Sequence, residues 1–344
     1  MTPGRSATLA REVAPERVTG GNEREIKVDK SNDCVVVDEA VFVKWLTPPV
    51  PQPHRGLDLV RHLDMTGFSA MPRLLGTRVV DGHVEAIVFE HVADSDDGWT
   101  WLFDRVNATI DGTLDRGDSV VADADQLGVI AAELHLALAT RSDLIPEPVG
   151  AVDRSTERVR AQSLLAAALD EVDRVEHPEA YEALHACRAP IEALVDSIPD
   201  GPTPAITIHG DLHMGQVLRK GDRMVLIDFD GNPLLKAGMP VRQPPAADLA
   251  SLAQSIDHVI RMAQHRRSDW GEDCDALARR MSLAVLGGYR MRLRAGCAEH
   301  LLDEALLPAL RAAQELHELV YSVRRLPRWI YAPTLALRGM FSND

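Results

Sequence analysis

Two neighbouring stretches, Ile208-His-Gly-Asp-Leu-His-Met-Gly-Gln216 and Leu226-Ile-Asp-Phe-Asp-Gly-Asn-Pro233, constrain this chain more than any other part of it. Glycines at 210 and 215 break any helical pattern, so the first stretch reads as a loop. The apolar run Met224 to Ile227 reads as a short strand that stops at a turn bearing Asp228 and Asp230. The fold must therefore present a carboxylate (Asp211), an amide (Gln216) and further carboxylates from two consecutive segments. The expectation is that Gln216 and Asp228 share one divalent cation beside Asp211.

That donor set suits phosphoryl transfer. The reaction passes through a loose transition state, so a protein mainly positions the groups and offsets charge. Asp211 is the candidate catalytic base, taking the proton of an acceptor hydroxyl. Gln216 offers a neutral, hard amide oxygen to Mg²⁺, and Asp228 a carboxylate that bridges metal and phosphate. Asp230 stands open between a second metal ligand and a turn cap. His209 and His213 lie in the loop rather than on one helix face, so His209 is expected to bond the neighbouring turn and His213 has no assignment. Asp248 opens a helix and is expected either to cap it or to anchor the loop amides, with the anchor preferred.

Along the chain, residues 1–25 read as a polar leader or cap. Glu25–Val28, Cys34–Val37 and Ala40–Leu46 read as strands, Pro48 to Pro53 as a stiff connector, and Leu57 to Met65 as a helix. Two more strands flank Asp81-Gly82 between Gly76 and Phe89. Helices are expected at 125–138, at two places within 154–198 separated by His177-Pro178, and at 246–263, 275–296 and 300–324. No internal repeat is visible. The plan is α+β and bilobal: a cap (1–25), an antiparallel β-rich nucleotide lobe (26–104) and a larger helical lobe (105–344).

Within the β-rich part, Lys44 ends a Val-Phe-Val-Lys strand from which an ammonium can reach phosphates, with Asp58 on the next helix as its candidate acidic partner. No Gly-rich loop precedes it. Asp29-Lys-Ser-Asn-Asp33 stands there, with Ser31 and backbone N–H groups as candidate phosphate donors. Glu85 to Val92 has the character of an interlobe hinge, in which backbone atoms of Glu90 and Val92 pair with an adenine edge.

The formal net charge of −15 over 344 residues argues against nucleic acid as a partner. It also means that a triphosphate needs metal and local Lys or Arg. Four scattered cysteines, with no Cys-x-x-Cys pair, fit free thiols in a reducing compartment. No segment has the roughly 18 consecutive apolar residues of a membrane span, and a cytoplasmic enzyme is expected.

Together these motifs resemble the aminoglycoside-phosphotransferase-like kinase superfamily over most of the chain. More narrowly, His209-Gly-Asp-Leu-His-x-Gly-Gln-Val-Leu-Arg219 and Asp228-Phe-Asp-Gly-Asn-Pro233 resemble its actinobacterial maltokinase and glucosamine-kinase branch. So do Leu127-Gly-x-x-Ala-x-x-Leu-His-x-Ala-Leu138 and Asp248-Leu-Ala-Ser-Leu252. The resemblance implies a protein-kinase-like fold with an N-terminal cap, ATP and Mg²⁺, and a sugar acceptor.

The C-terminal region is expected to choose the sugar. Leu316, Leu319, Val320 and Val323 form an apolar helix stripe, with Gln314, His317, Glu318 and Tyr321 opposite it. Gln314, Glu315, His317, Glu318 and Trp329 are the candidate sugar contacts, alongside Asp211 at the reacting hydroxyl. Carboxylates beside an aromatic platform favour a cationic amino sugar, and the segment resembles the C-terminal signature of bacterial glucosamine kinases. The expectation is phosphorylation of glucosamine to glucosamine 6-phosphate. Maltose 1-phosphate formation, aminoglycoside phosphorylation and a nucleotide-binding pseudokinase stand as alternatives.

Overall fold

The computed structural model describes residues 3–26, 32–114, 117–231, 242–267 and 271–341. The chain divides into two compact units: unit 1 holds residues 1–97, 140–146 and 216–240, and unit 2 holds 98–139, 147–215 and 241–344.

Unit 1 opens with helix α1 (Arg5–Val13), so the expected polar leader contains ordered structure. Strands β1 (Glu23–Ile26), β2 (Asn32–Val37), β3 (Val41–Pro51), β4 (Leu74–Val80) and β5 (His83–Glu90) form one antiparallel sheet in the order β1-β2-β3-β5-β4. Period-two alternation sends Val41, Val43 and Trp45 to one face, where they meet Ala7, Leu9 and Ala10 of α1. Leu46 and Ile87 line the other face against Leu57 of helix α2 (Arg55–Met65). Lys44 has the parity of Leu46, so it lies on the α2 side.

The expected Pro-rich connector is instead the second half of β3. Its register against β5 breaks after Trp45 and resumes at Val50 opposite Val84. Pro48 and Pro49 fall in that break, where no ladder N–H is demanded of them. The remaining strands of unit 1, β6 (Asp96–Asp97), β9 (Val217–Lys220) and β10 (Arg223–Leu226), form a small antiparallel sheet that carries the Asp228 turn.

Unit 2 is mainly helical. It contains α3 (Gly98–Ile110), α4 (Asp118–Leu138), α5 (Ser155–Glu171), α6 (Pro178–Asp196), α7 (Ala246–Arg266), α8 (Gly271–Ala295), α9 (Leu307–Arg325) and α10 (Tyr331–Met340). Helix α3 was not expected. The first part of the expected 300–324 helix is short 3₁₀ turns, and the aromatic segment after α9 runs on into α10. Strands β7 (Gly150–Asp153), β8 (Pro202–Thr207) and β11 (Arg242–Gln243) form a third small sheet, in the order β11-β8-β7.

Alanine- and leucine-rich faces of α5, α6, α9 and α10 make one core. Helices α4 and α8 approach at backbone distance. A Cβ on Gly128 would stand 2.0 Å from the Val285 carbonyl oxygen, and one on Gly288 would stand 2.1 Å from that of Asp125. Among the described residues, no helix is long and apolar enough to cross a membrane. The expected α+β class holds: one unit is built on an antiparallel sheet and the other on helices.

Candidate active site

The loop after β8 is fixed by a buried carboxylate. Asp248, in the first turn of α7, accepts the His209 N–H at 2.7 Å through Oδ2 and the Gly210 N–H at 2.9 Å through Oδ1. This is the anchoring role rather than a cap on its own helix. His135 of α4 reaches the same Oδ2 at 3.1 Å through Nε2, and its Nδ1 lies 2.6 Å from the Tyr289 hydroxyl of α8. Burial alone would raise the Asp248 carboxyl. The His135 hydrogen bond and the Gly210 N–H outweigh it and hold the group below the usual carboxylate range. With Asp248 ionised, His135 donates to it from Nε2.

Beyond this anchor the loop presents Asp211. The fully buried His209 ring accepts the Asp211 N–H at 3.3 Å through Nδ1, a structural task within the turn. His213, unassigned from sequence, accepts the Gly215 N–H at 3.0 Å, and its Nε2 lies 3.7 Å from Asp211 Oδ2. Ser255 of α7 bonds the Met214 N–H at 3.0 Å, which ties down the far side of the loop.

An aromatic string continues from His213. Its ring lies 6.1 Å from Trp99 of α3, which meets Trp329 edge-on at 5.7 Å. Trp329 in turn meets His258 of α7 at 6.0 Å and Tyr331 at 5.7 Å. Gly98 and Gly215 let α3 press this close, since a Cβ on either would come within 3 Å of loop atoms or of Trp99.

Helix α9 closes the row. Gln314, His317 and Glu318 are half-buried and Tyr321 is exposed, as the stripe pattern predicts. Glu315, however, is fully buried, with Oε2 2.8 Å from His258 Nε2. It belongs to the α7–α9 packing rather than to the open stripe. Desolvation pulls His258 down, but the charge and hydrogen bond of Glu315 raise it overall, while burial pushes the Glu315 carboxyl up. Glu318 behaves oppositely. Burial would raise it, but a bond from His317 and the charge of His258 hold it below the ordinary glutamate value.

In unit 1, Lys44 is nearly buried, and its ammonium lies 2.8 Å from both Asp228 and Asp230. Burial works against the charge, yet the two carboxylates raise its affinity for the proton above that of a free lysine. The expected partner Asp58 faces Arg61 at 3.7 Å instead, within its own helix turn. Asp228 adopts a left-handed φ of 59°, a conformation that Asp tolerates better than most side chains. The main-chain carbonyl of Gln216 accepts the Ile227 N–H at 3.0 Å, which joins the loop end to the strand before Asp228.

Asp228, Asp230 and Gln216 offer only hard oxygen donors, a set that fits Mg²⁺. Among the described residues, no cluster of three or more His, Cys, Asp or Glu forms a ready cage.

In the segment expected to form the hinge, the Glu90 N–H is given to the Arg73 carbonyl at 2.9 Å, and the Val92 carbonyl accepts the Ser95 hydroxyl at 2.6 Å. Ser31 lies outside the described residues, as do Asn232 and Pro233.

A family model described as APH, Phosphotransferase enzyme family, matches residues 37–283. The chain belongs to this phosphotransferase family. It is 37% identical over 340 residues to a glucosamine kinase of Mycolicibacterium smegmatis, covering 94% of this chain and 81% of that one. A glucosamine kinase of Streptacidiphilus jiangxiensis is 35% identical over 356 residues, covering 98% and 77%. Among solved structures, a glucosamine kinase in complex with glucosamine, ADP and inorganic phosphate superposes with a TM-score of 0.78 at 33% identity. That match covers 92% of this chain and 79% of the other. The fold is therefore kinase-like, as the motif order predicts.

Sequence reasoning missed Trp99, His135, His258 and Tyr289. His135 lies in the Leu127–Leu138 motif, and His258 lies in the helix expected at 246–263. A polar side chain inside an otherwise apolar helix face was the available signal.

Proposed function

We propose that this protein transfers the γ-phosphoryl group of ATP to the 6-hydroxyl of glucosamine, with Mg²⁺, in the cytoplasm. The observation that carries the reading is the single row of contacts in unit 2. It runs from Asp211 through His213, Trp99 and Trp329 to His258, which bonds Glu315 of α9 and feels the charge of Glu318. A carboxylate that can receive a hydroxyl proton and another that can read an ammonium thus flank one aromatic platform. The glucosamine kinases to which the chain is similar support the same substrate.

Asp211 accepts the proton as the sugar oxygen bonds to phosphorus and ADP leaves. His213 holds the Asp211 side of the loop, and Asp248 holds its backbone. Trp329 packs against the sugar ring. Glu318, kept ionised by its histidine neighbours, takes the C2 ammonium in a charge-assisted hydrogen bond, with Gln314 and His317 beside it. Glu315 supports this wall from behind through His258. Lys44 steadies the phosphates. The Glu90 carbonyl and Val92 N–H complement the amino group and ring nitrogen of adenine. Gln216 and Asp228 would hold the magnesium, which offsets phosphate charge when bound.

The test is ATP turnover on glucosamine, glucose, N-acetylglucosamine, maltose and an aminoglycoside, with the phosphorylated position read by NMR. Glucosamine 6-phosphate is the expected product. Turnover on glucosamine no greater than buffer defeats the assignment, and maltose 1-phosphate replaces it with the maltokinase reading. Asp211→Asn should keep its fold by circular dichroism and lose roughly 10²- to 10⁴-fold in kcat.

A further inference from the structure

Lys44 takes both of its described carboxylate partners from one loop, at 2.8 Å each, whereas Asp58 on α2 is turned to Arg61. What α2 supplies instead is space. A Cβ on Gly56 would stand 2.0 Å from Asp230 Oδ1 and 3.1 Å from the Asp230 Cα, so the first turn of α2 is where this loop docks. Arg55 fastens the docked loop by donating to the Phe229 carbonyl at 3.0 Å, and its guanidinium lies directly against Gly231. Asp228 and Asp230 are thus held differently. Asp228 sits at the strained strand end beside the segment bonded to Gln216, and Asp230 is pressed onto helix backbone.

We infer that Asp230 is a positioning residue for Lys44, seated on Gly56, and that metal binding falls to Asp228 and Gln216 without it. Lys44 carries one positive charge against two negative ones. A cation at Asp228 leaves Asp230 as the counter-charge that keeps the ammonium in place. A helix that offers a glycine to the metal loop does the work that a helix carboxylate at Asp58 would have done. A side chain at position 56 is incompatible with that arrangement.

The assignment rests on the phosphotransfer reading, and one arm of its test needs no sugar. ADP binding is titrated with Mg²⁺ by calorimetry in wild type, Asp228→Asn, Asp230→Asn and Gly56→Ala. The Mg²⁺ needed for half-maximal binding should rise about tenfold or more in Asp228→Asn and stay within about twofold of wild type in the other two. In the kinetic arm, Asp230→Asn should lower kcat/KM for ATP about tenfold in the wild-type background and less than about twofold in Lys44→Met, because its effect passes through Lys44.

A Mg²⁺ requirement in Asp230→Asn as high as in Asp228→Asn overturns the assignment. So does a tenfold loss that persists in Lys44→Met, or wild-type kinetics in Asp230→Asn. If Gly56→Ala does not fold, the near-isosteric Asp230→Asn still decides. Wild-type protein that binds no ADP at any Mg²⁺ concentration would sink the phosphotransfer reading instead.

Discussion

Asp248 offers the sharpest test of how the catalytic loop is built. Its carboxylate receives the His209 N–H at 2.7 Å, the Gly210 N–H at 2.9 Å and His135 at 3.1 Å, and it is 1% exposed. Asp248→Ala leaves three buried donors unpaired, at about 1–3 kcal/mol each, for a loss of about 3–6 kcal/mol after some relaxation. Asp248→Asn keeps one acceptor oxygen but turns an amide N–H toward a backbone N–H, which costs about 2–3 kcal/mol. Either change frees the backbone that sets Asp211, so kcat should fall about tenfold or more even in protein that remains folded.

Proton linkage adds a second signature. The Asp248 carboxyl is held low in the folded state, so its contribution is complete above the unfolded aspartate value of about 3.9 and fades only as pH drops through the folded value. The assay is urea unfolding followed by tryptophan fluorescence at several pH values, with steady-state kinetics on the same samples. An Asp248→Asn protein within about 0.5 kcal/mol of wild type, with undiminished kcat, would refute the anchoring argument.

Gly128→Ala gains about 1 kcal/mol of helix propensity but drives a methyl group to 2.0 Å from the Val285 carbonyl. Because that neighbour is backbone, the helices must part. Chemical denaturation should show a net loss of about 1–3 kcal/mol, whereas a gain would mean that α4 and α8 are packed more loosely than described. The His258–Glu315 pair makes stability fall as pH rises. His258 is raised, so its contribution is full below the unfolded histidine value of about 6.5 and is lost through the folded value, and Glu315, also raised, acts in the same direction. As pH rises above about 6.5 the wild-type denaturation midpoint should therefore decline relative to Glu315→Gln, and a flat difference would exclude a charged pair.

Much of the site was legible because its residues act through their immediate chain neighbours. Glycines 210 and 215 mark a loop, the run to Ile227 marks a strand, and helical periodicity marks α4 and α7. Strands β7, β8 and β11 were not legible. Pro202 and Pro204 make β8 read as a loop, and its pairing is set by partners as distant as Gly150 and Arg242. Proline likewise disguised the second half of β3, which its pairing with β5 rescues.

The harder failures concern charge. From spacing alone, Asp58 is the natural partner of Lys44, because a carboxylate one turn into the next helix ought to face the sheet. Which acid wins is decided by how closely α2 meets the loop bearing Asp228 and Asp230, and that depends on an absent side chain at Gly56. Glu315 makes the same point on α9. Neighbouring residues on a helix differ by about 100°, so Glu315 falls between the apolar and polar stripes, and periodicity cannot assign it. A lone glutamate would turn outward to water, since burying its charge unpaired costs several kcal/mol. It turns inward because His258, on another helix, supplies a matching charge at 2.8 Å. Side chains whose burial depends on a partner from a distant element carry no one-dimensional signature, and Glu315 and His258 are such a pair.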